Sequence, residues 1–290
     1  MIEFLKAILF GVIEGITEWL PVSSTGHMIL LNEFCKLKVS PEFYSMFQVF
    51  IQLGAILAVV LMFWNKIWPF GKEKNKKPLA DHGFGAYVKL DIIQLWFHIL
   101  LSCMPAAIIG IFFDEKLEEL FYNYQTVAIM LILFGIAFIV IETFNKKRKP
   151  TITKMAQLSY KTAFWIGMFQ VIAAVFPGTS RSGATIVGAL LIGVSRKVAA
   201  EYTFYLTIPV MFGASLLKLV KFGFSFTGTE VAILAIGMVT AFLVSVFVIR
   251  FLMDYIRKHD FKVFGYYRIV LGLLVLLAGI GGIIGQGAGV

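Results

Sequence analysis

The sequence predicts an all-α polytopic membrane protein built as an inverted-topology repeat, with six spanning helices and two re-entrant helical hairpins. Three observations carry this. Hydrophobic residues make up 59% of the 290, with 29 Phe among them. A soluble globular chain sits nearer half apolar, so the excess faces lipid. Six apolar runs are long enough to cross a hydrocarbon core about 30 Å thick. Two further runs are long enough but interrupted, each by a proline followed by hydroxyl residues.

Taken in order, the first element covers roughly Ile2–Phe34 and breaks at Pro21-Val-Ser-Ser-Thr-Gly. Its apolar start is like a signal peptide. Glu3 precedes that stretch, however, and Glu14 and Glu18 fall where the apolar region and cleavage site would run, so the segment is read as retained. Spans follow at roughly Phe43–Trp64, Ile92–Phe113 and Gln125–Phe144. The second interrupted element, Tyr160–Gly193, breaks at Pro177-Gly-Thr-Ser-Arg-Ser-Gly, and spans at Tyr202–Val220, Val231–Met253 and Arg268–Ile284 complete the set. The glycines at 279–289 read as close packing followed by a loose tail.

The two interrupted elements align without gaps at an offset of 156 residues, pairing Gly11 with Gly167, Glu14 with Gln170, Pro21 with Pro177, Ser23 with Thr179 and Ser24 with Ser180. The chain therefore reads as one membrane domain, 1–290, made of repeats at about 1–145 and 158–290. Each repeat holds three spanning helices, an odd number, so the second repeat enters the membrane from the opposite face.

Loop charges agree with hairpins that dip in and return. The loops at 65–91, 145–160, 193–200 and 254–267 would then share one side and carry most of the loop lysines and arginines. The loops at 35–42, 114–123 and 222–230 fall on the other side, where Asp114-Glu115-Lys116-Leu117-Glu118-Glu119 is acidic. That places the basic loops in the cytoplasm and both termini outside. The net charge of +9 is thus a positive-inside and anionic-lipid signal rather than a nucleic-acid one, and no aromatic-interleaved basic patch accompanies it. The two cysteines, Cys35 and Cys103, form neither a disulfide framework nor a metal-ligand spacing. Trp64, Trp68 and Tyr122 fit interfacial anchors, and His82, His98 and His259 have no partner at useful spacing.

Broken backbone at membrane depth must be buried in protein or line a wet cavity. Two hairpin elbows arriving from opposite faces meet near the midplane, which locates a site. In the first, Glu14 and Glu18 at i, i+4 stack their carboxylates on one helical face, and Ser23, Ser24, Thr25 and His27 open the next arm. In the second, Pro177-Gly178 makes the turn, Thr179, Ser180 and Ser182 are N-cap residue types, and Thr185 lies one turn on. Arg181 offers a guanidinium suited to phosphate oxygens. Ionised side chains at this depth cost about 2.5–3.5 kcal/mol each on insertion scales, a cost that a charged ligand offsets. The result is an anion pocket, with helix N-termini favouring phosphate. Glu14 and Glu18 could hold Mg²⁺ or Ca²⁺ through oxygen. Ser24 beside His27 is arranged like a hydroxyl nucleophile with a base, although a metal-activated water or a phosphorylated His27 is equally consistent. Gln48 and Gln52, at i, i+4 in an apolar helix, face the pocket or bond between helices.

Glu14-Gly-Ile-Thr-Glu18-Trp-Leu-Pro-Val-Ser-Ser-Thr-Gly-His27 together with Pro177-Gly-Thr-Ser-Arg-Ser-Gly-Ala-Thr185 resembles the undecaprenyl-diphosphate phosphatases of the bacitracin-resistance type, over essentially the whole chain. The resemblance implies hydrolysis of undecaprenyl diphosphate to undecaprenyl phosphate, recycling the lipid carrier of cell-wall synthesis, with a divalent cation. It also implies a multi-pass location in the bacterial plasma (inner) membrane, a site open to the periplasm, and bacitracin resistance on overproduction. By position it assigns Glu14 and Glu18 to metal or catalysis, Ser24 to the nucleophile and His27 to acid/base work. Arg181 becomes the diphosphate clamp, with Ser180 and Thr185 in support. A homodimer stays open. The rival reading is a secondary transporter or flippase of polyprenyl phosphate, because broken helices in inverted repeats also build transporters.

Overall fold

The computed structural model describes residues 1–72, 75–223 and 226–284. The described residues form helices α1 (Ile2–Thr17), α2 (Ser24–Phe34), α3 (Pro41–Met62), α4 (Trp64–Ile67), α5 (Leu90–Phe121), α6 (Tyr124–Asn145), α7 (Tyr160–Val175), α8 (Arg181–Ile192), α9 (Arg196–Phe222), α10 (Gly228–Lys258) and α11 (Lys262–Ile280). Among them no named strand occurs, and α3, α5, α6, α9, α10 and α11 are the six helices long and apolar enough to span. The predicted fold class is the observed one.

Helix limits differ from the hydropathy limits. The connection expected at 114–123 shrinks to residues 122–123, because α5 continues to Phe121. The connection expected at 254–267 shrinks to 259–261, between α10 and α11. Hydropathy marks where hydrocarbon ends, whereas helical backbone bonding continues into the interface for another turn or two. The side chains of Asp114, Glu115 and Glu118 and the tail 285–290 lie outside the described residues.

Both interrupted elements are hairpins whose arms return to the face they left. At the start of α1, Glu3 accepts from the Lys38 backbone N–H at 2.9 Å, and Lys6 donates to the Lys36 carbonyl at 2.5 Å. The beginning of α1 and the end of α2 therefore lie on one face. At the other hairpin, Thr151 N–H donates to Gly193 O at 2.9 Å and Ser195 N–H to Ile152 O at 2.8 Å. These bonds pin the approach to α7 beside the end of α8. Lys66 pairs with Glu201 at 2.7 Å, and the fully buried Glu142 takes Arg196 and the Phe261 N–H. The four basic connections are thus tied together on one face, opposite the start of α1.

Packing follows a pseudo-two-fold relation that exchanges α1 with α7 and α5 with α10. Helix α1 lies along α10 and α7 along α5, while α3 meets α9 and α6 meets α11. The repeat-related Gly11 and Gly167 sit at the two equivalent crossings. A Cβ on Gly11 would stand 2.6 Å from Gly237 O, and one on Gly167 would collide with the Ser102 carbonyl. Gly135 of α6 and Gly265 of α11 face each other with matching 2.7 Å approaches. Small residues let the backbones close in where lipid supplies no hydrophobic drive.

Candidate active site

Each elbow ends one helix and starts the next through a strained serine. Ser23 (φ +74°) caps α2, its Oγ accepting from Gly26 N–H at 3.4 Å. Ser180 (φ +66°) caps α8, accepting from Gly183 N–H at 3.1 Å. They are the two non-glycine residues with positive φ among the described residues. Such backbone costs about 1–3 kcal/mol each and persists where the surroundings over-determine it, as at ligand sites.

The matched caps correct the ungapped alignment. Through the first arms the offset of 156 holds, but from the elbow onward it is 157, so that Ser23 corresponds to Ser180 and Ser24 to Arg181, not to Thr179 and Ser180. The second elbow carries one extra residue, accommodated by Gly178 at φ +88°, where a Cβ would stand 2.5 Å from Val127 O. Ser24 and Arg181 are therefore the equivalent first residues of α2 and α8.

Both reach the same carboxylate. Arg181 Nη2 donates to Glu18 Oε1 at 2.7 Å, and Ser24 Oγ donates to Glu18 Oε2 at 3.1 Å. Ser182 adds a 3.4 Å bond to the Glu18 carbonyl. Around this cluster lies a cavity of about 150 Å³, lined by Glu18, Ser24, Thr25, Gln52, Gly178, Ser180, Arg181 and Ser182, with Ala173, Pro177 and Met211 as its apolar wall. The elbows do meet, across 163 residues of sequence.

Several buried polar atoms have no hydrogen-bond partner here: both Glu14 carboxylate oxygens, Arg181 Nη1, Thr179 Oγ1 and Gln170 Nε2. A buried carboxylate and an unused guanidinium N–H are costly unless something charged meets them. Among the described residues, no trio of His, Cys, Asp or Glu could make a closed metal site. Glu14, with both oxygens unused, one turn before Glu18 does suit Mg²⁺, which commonly takes one or two carboxylates and completes its shell with substrate phosphates and water. The residues fit a divalent cation held with its substrate.

The other predicted residues divide. His27 is not joined to Ser24. Its Nδ1 lies 2.8 Å from the Ser23 carbonyl and its Nε2 2.7 Å from Tyr267 OH. A carbonyl only accepts, so Nδ1 carries the proton and neutral Nε2 accepts from Tyr267. The group touching Ser24 is Glu18, which corrects the expected Ser24–His27 pairing. Thr185 donates to Arg181 O at 2.8 Å and bonds Thr203 of α9, bracing the α8 start from behind. Gln52 lines the cavity, whereas Gln48 bonds Tyr44 OH at 3.2 Å.

Arg268 is the residue that sequence reasoning missed. Hydropathy puts it at the start of the last span, but it lies inside α11, fully buried. Its guanidinium donates to Pro21 O (3.2 Å) in one elbow and to Gly178 O (2.9 Å) and Thr179 O (2.8 Å) in the other. One cation thus clasps both turns through carbonyls. The available signal was a lone arginine beside Tyr267 in an apolar helix, which at membrane depth marks a polar contact.

Residues 7–274 match the family described as bacitracin resistance protein BacA. The chain belongs to this family. Similar chains include the undecaprenyl-diphosphatase of Desulfitobacterium hafniense, 62% identical over 96% of both chains. Undecaprenyl-diphosphatase 1 of Clostridium acetobutylicum is 62% identical over 95% of this chain and 97% of its own. The undecaprenyl-diphosphatase of Enterococcus faecalis is 60% identical with the same coverage. In this BacA-family chain the candidate site is built from both elbows rather than from either motif alone.

Proposed function

We propose that this chain is an integral membrane phosphatase that hydrolyses undecaprenyl diphosphate to undecaprenyl phosphate and inorganic phosphate, returning the lipid carrier to cell-wall synthesis and thereby conferring bacitracin resistance. The observation that carries the mechanism is Glu18, with Ser24 on one oxygen and Arg181 on the other. Arg181 holds the diphosphate, its second amino group free to meet a phosphate oxygen. Ser24 Oγ attacks the terminal phosphorus while Glu18 takes the hydroxyl proton. The bond from that phosphorus to the bridging oxygen breaks and lipid monophosphate leaves. Water then cleaves the phosphoserine, releasing phosphate and restoring the Ser24 proton. Glu14 and Glu18 would hold the divalent cation, which neutralises charge on the diphosphate when bound. Tyr267 and the Ser23 carbonyl fix the His27 ring at the start of α2.

The basic face is read as cytoplasmic in the plasma (inner) membrane of the bacterium, with the substrate entering from the periplasmic side and its prenyl tail remaining among the helices. The test is phosphate release from a polyprenyl diphosphate by purified chain with Mg²⁺. Ser24→Ala and Arg181→Ala should each lose at least about 10²-fold, the scale on which single nucleophile or oxyanion contacts act. Near-normal turnover by Ser24→Ala would transfer the attack to water or His27. The inverted repeat keeps the flippase alternative meaningful: labelled lipid phosphate crossing proteoliposomes in a Ser24→Ala variant would favour it.

A further inference from the structure

A cavity larger than the one at the elbows lies elsewhere in the molecule. It measures about 620 Å³ and lies on the basic face, where α6 and α10 end and the turn from α8 to α9 comes up between them. Along α8 its lining begins at Leu190, nine residues from Arg181, about 14 Å at the helical rise. Five cations and one acid line it, Arg148, Lys149, Arg196, Lys197 and Arg257 against Glu142. Glu142 and Arg196 already satisfy each other through bonds of 2.8 and 2.5 Å, so the surplus is positive even with Asp254 on Arg257 at the helix surface. Ser195 caps α9 without a side-chain bond to its first turn, which leaves the positive end of a 27-residue helix facing the same space. Leu190, Leu191 and Ile256 form an apolar wall, with Leu191 half exposed.

We propose that this cavity binds a phosphate-bearing anion, with its apolar wall favouring the headgroup of an anionic phospholipid. The elbow site has no share in it. Basic pockets between transmembrane helices take such headgroups, and each surface Lys or Arg contributes roughly a five-fold gain in association. The 151–195 bridging bonds hold the turn in place, so the cavity does not depend on ligand for its shape.

The experiment uses the full chain purified in neutral detergent, titrated with phosphatidylglycerol, with phosphatidylcholine, and separately with inorganic phosphate, while native mass spectrometry and melting are followed. Its partner is the Arg148→Gln, Lys149→Gln, Lys197→Gln, Arg257→Gln variant. Wild type should retain phosphatidylglycerol over phosphatidylcholine, and the variant should lose that preference by up to roughly 600-fold at the five-fold-per-cation scale. Its basal phosphate release in neutral detergent should be unchanged. Stabilisation of wild type alone by inorganic phosphate, without lipid preference, would assign the same site to a free anion. Equal behaviour of the two proteins toward all three probes would overturn the proposal. If the fourfold variant fails to fold, Lys149→Gln with Lys197→Gln decides the matter, against an Arg148→Lys, Arg257→Lys variant that should bind like wild type.

Discussion

Replacing Arg268 with methionine tests whether the two elbows are one device. The change keeps an unbranched chain of similar length and removes three donors to carbonyls at 2.8–3.2 Å. Hydrogen bonds from a charged donor contribute about 1.5–3 kcal/mol each, so their loss amounts to about 4–9 kcal/mol. Against that stands the burial of a guanidinium with no carboxylate on it, a several-kcal/mol penalty that methionine does not carry. The net expectation is a destabilisation of about 2–4 kcal/mol, or a melting point lower by about 5–10 °C in detergent. Turnover should fall further than stability does. Pro21 O and Gly178 O set where Ser24 and Arg181 begin their helices, and a displacement near 1 Å costs about 10²-fold in rate. The readouts are phosphate release at temperatures below both melting points and the split between kcat and KM. A positioning role lowers kcat with KM little changed, and Arg268→Lys recovers part of it. Wild-type melting together with wild-type kcat in Arg268→Met would refute the clasp.

Three further outcomes follow from the same geometry. Gly178→Ala should lose at least about 1–3 kcal/mol, seen as a lower melting point, because its φ of +88° and the Val127 carbonyl 2.5 Å from a Cβ leave no room. Tyr267→Phe removes the bond on His27 Nε2, worth about 1 kcal/mol, and should slow turnover several-fold while leaving melting nearly intact; a larger loss in melting than in turnover would make that tyrosine structural. Glu14→Gln should raise the Mg²⁺ concentration needed for half-maximal phosphate release by about tenfold or more, and an unmoved Mg²⁺ curve would remove Glu14 from the cation site.

Much of this fold was legible because lipid allows few options. Long apolar runs must be helices, and a proline with hydroxyls inside such a run must be sheltered, so the hairpins and their meeting point followed from patterning. The charge of the loops sorted them to faces, and the Glu3, Lys66 and Glu142 contacts bear that sorting out. The ends of α5 and α10 were not legible, since a helix passing from hydrocarbon to headgroups changes composition without changing backbone. Nor was the partner of Ser24. Proximity in sequence favoured His27, three residues away, but α2 starts in a direction that hands that ring to Tyr267, and only the turn geometry decides this. Arg268 escaped because hydropathy treats a charge as the edge of a span, whereas here it is buried against backbone carbonyls from three segments.

The single extra residue in the second elbow explains why two copies of one hairpin perform different chemistry. Without it, the second turn would have one residue between its proline and its cap, as the first has, and would offer Arg268 one carbonyl where it now grips those of Gly178 and Thr179. With it, the first residues of α2 and α8 come to the two oxygens of one carboxylate, a hydroxyl at 3.1 Å and a guanidinium at 2.7 Å. The repeat partner of Glu14 is Gln170, also buried and unpaired on its Nε2, so the second arm contributes no negative charge where the first contributes two. Acid and hydroxyl thus come from one hairpin and the cation from the other. A diphosphate needs both, and neither hairpin alone offers them. Exchanging the pair, with Arg at 24 and Ser at 181, would keep the ion pair to Glu18 yet move the nucleophile to the opposite oxygen. Such a double variant should fold and bind phosphate while losing hydrolysis, and if it turned over normally, the two elbows would be interchangeable and their asymmetry without function.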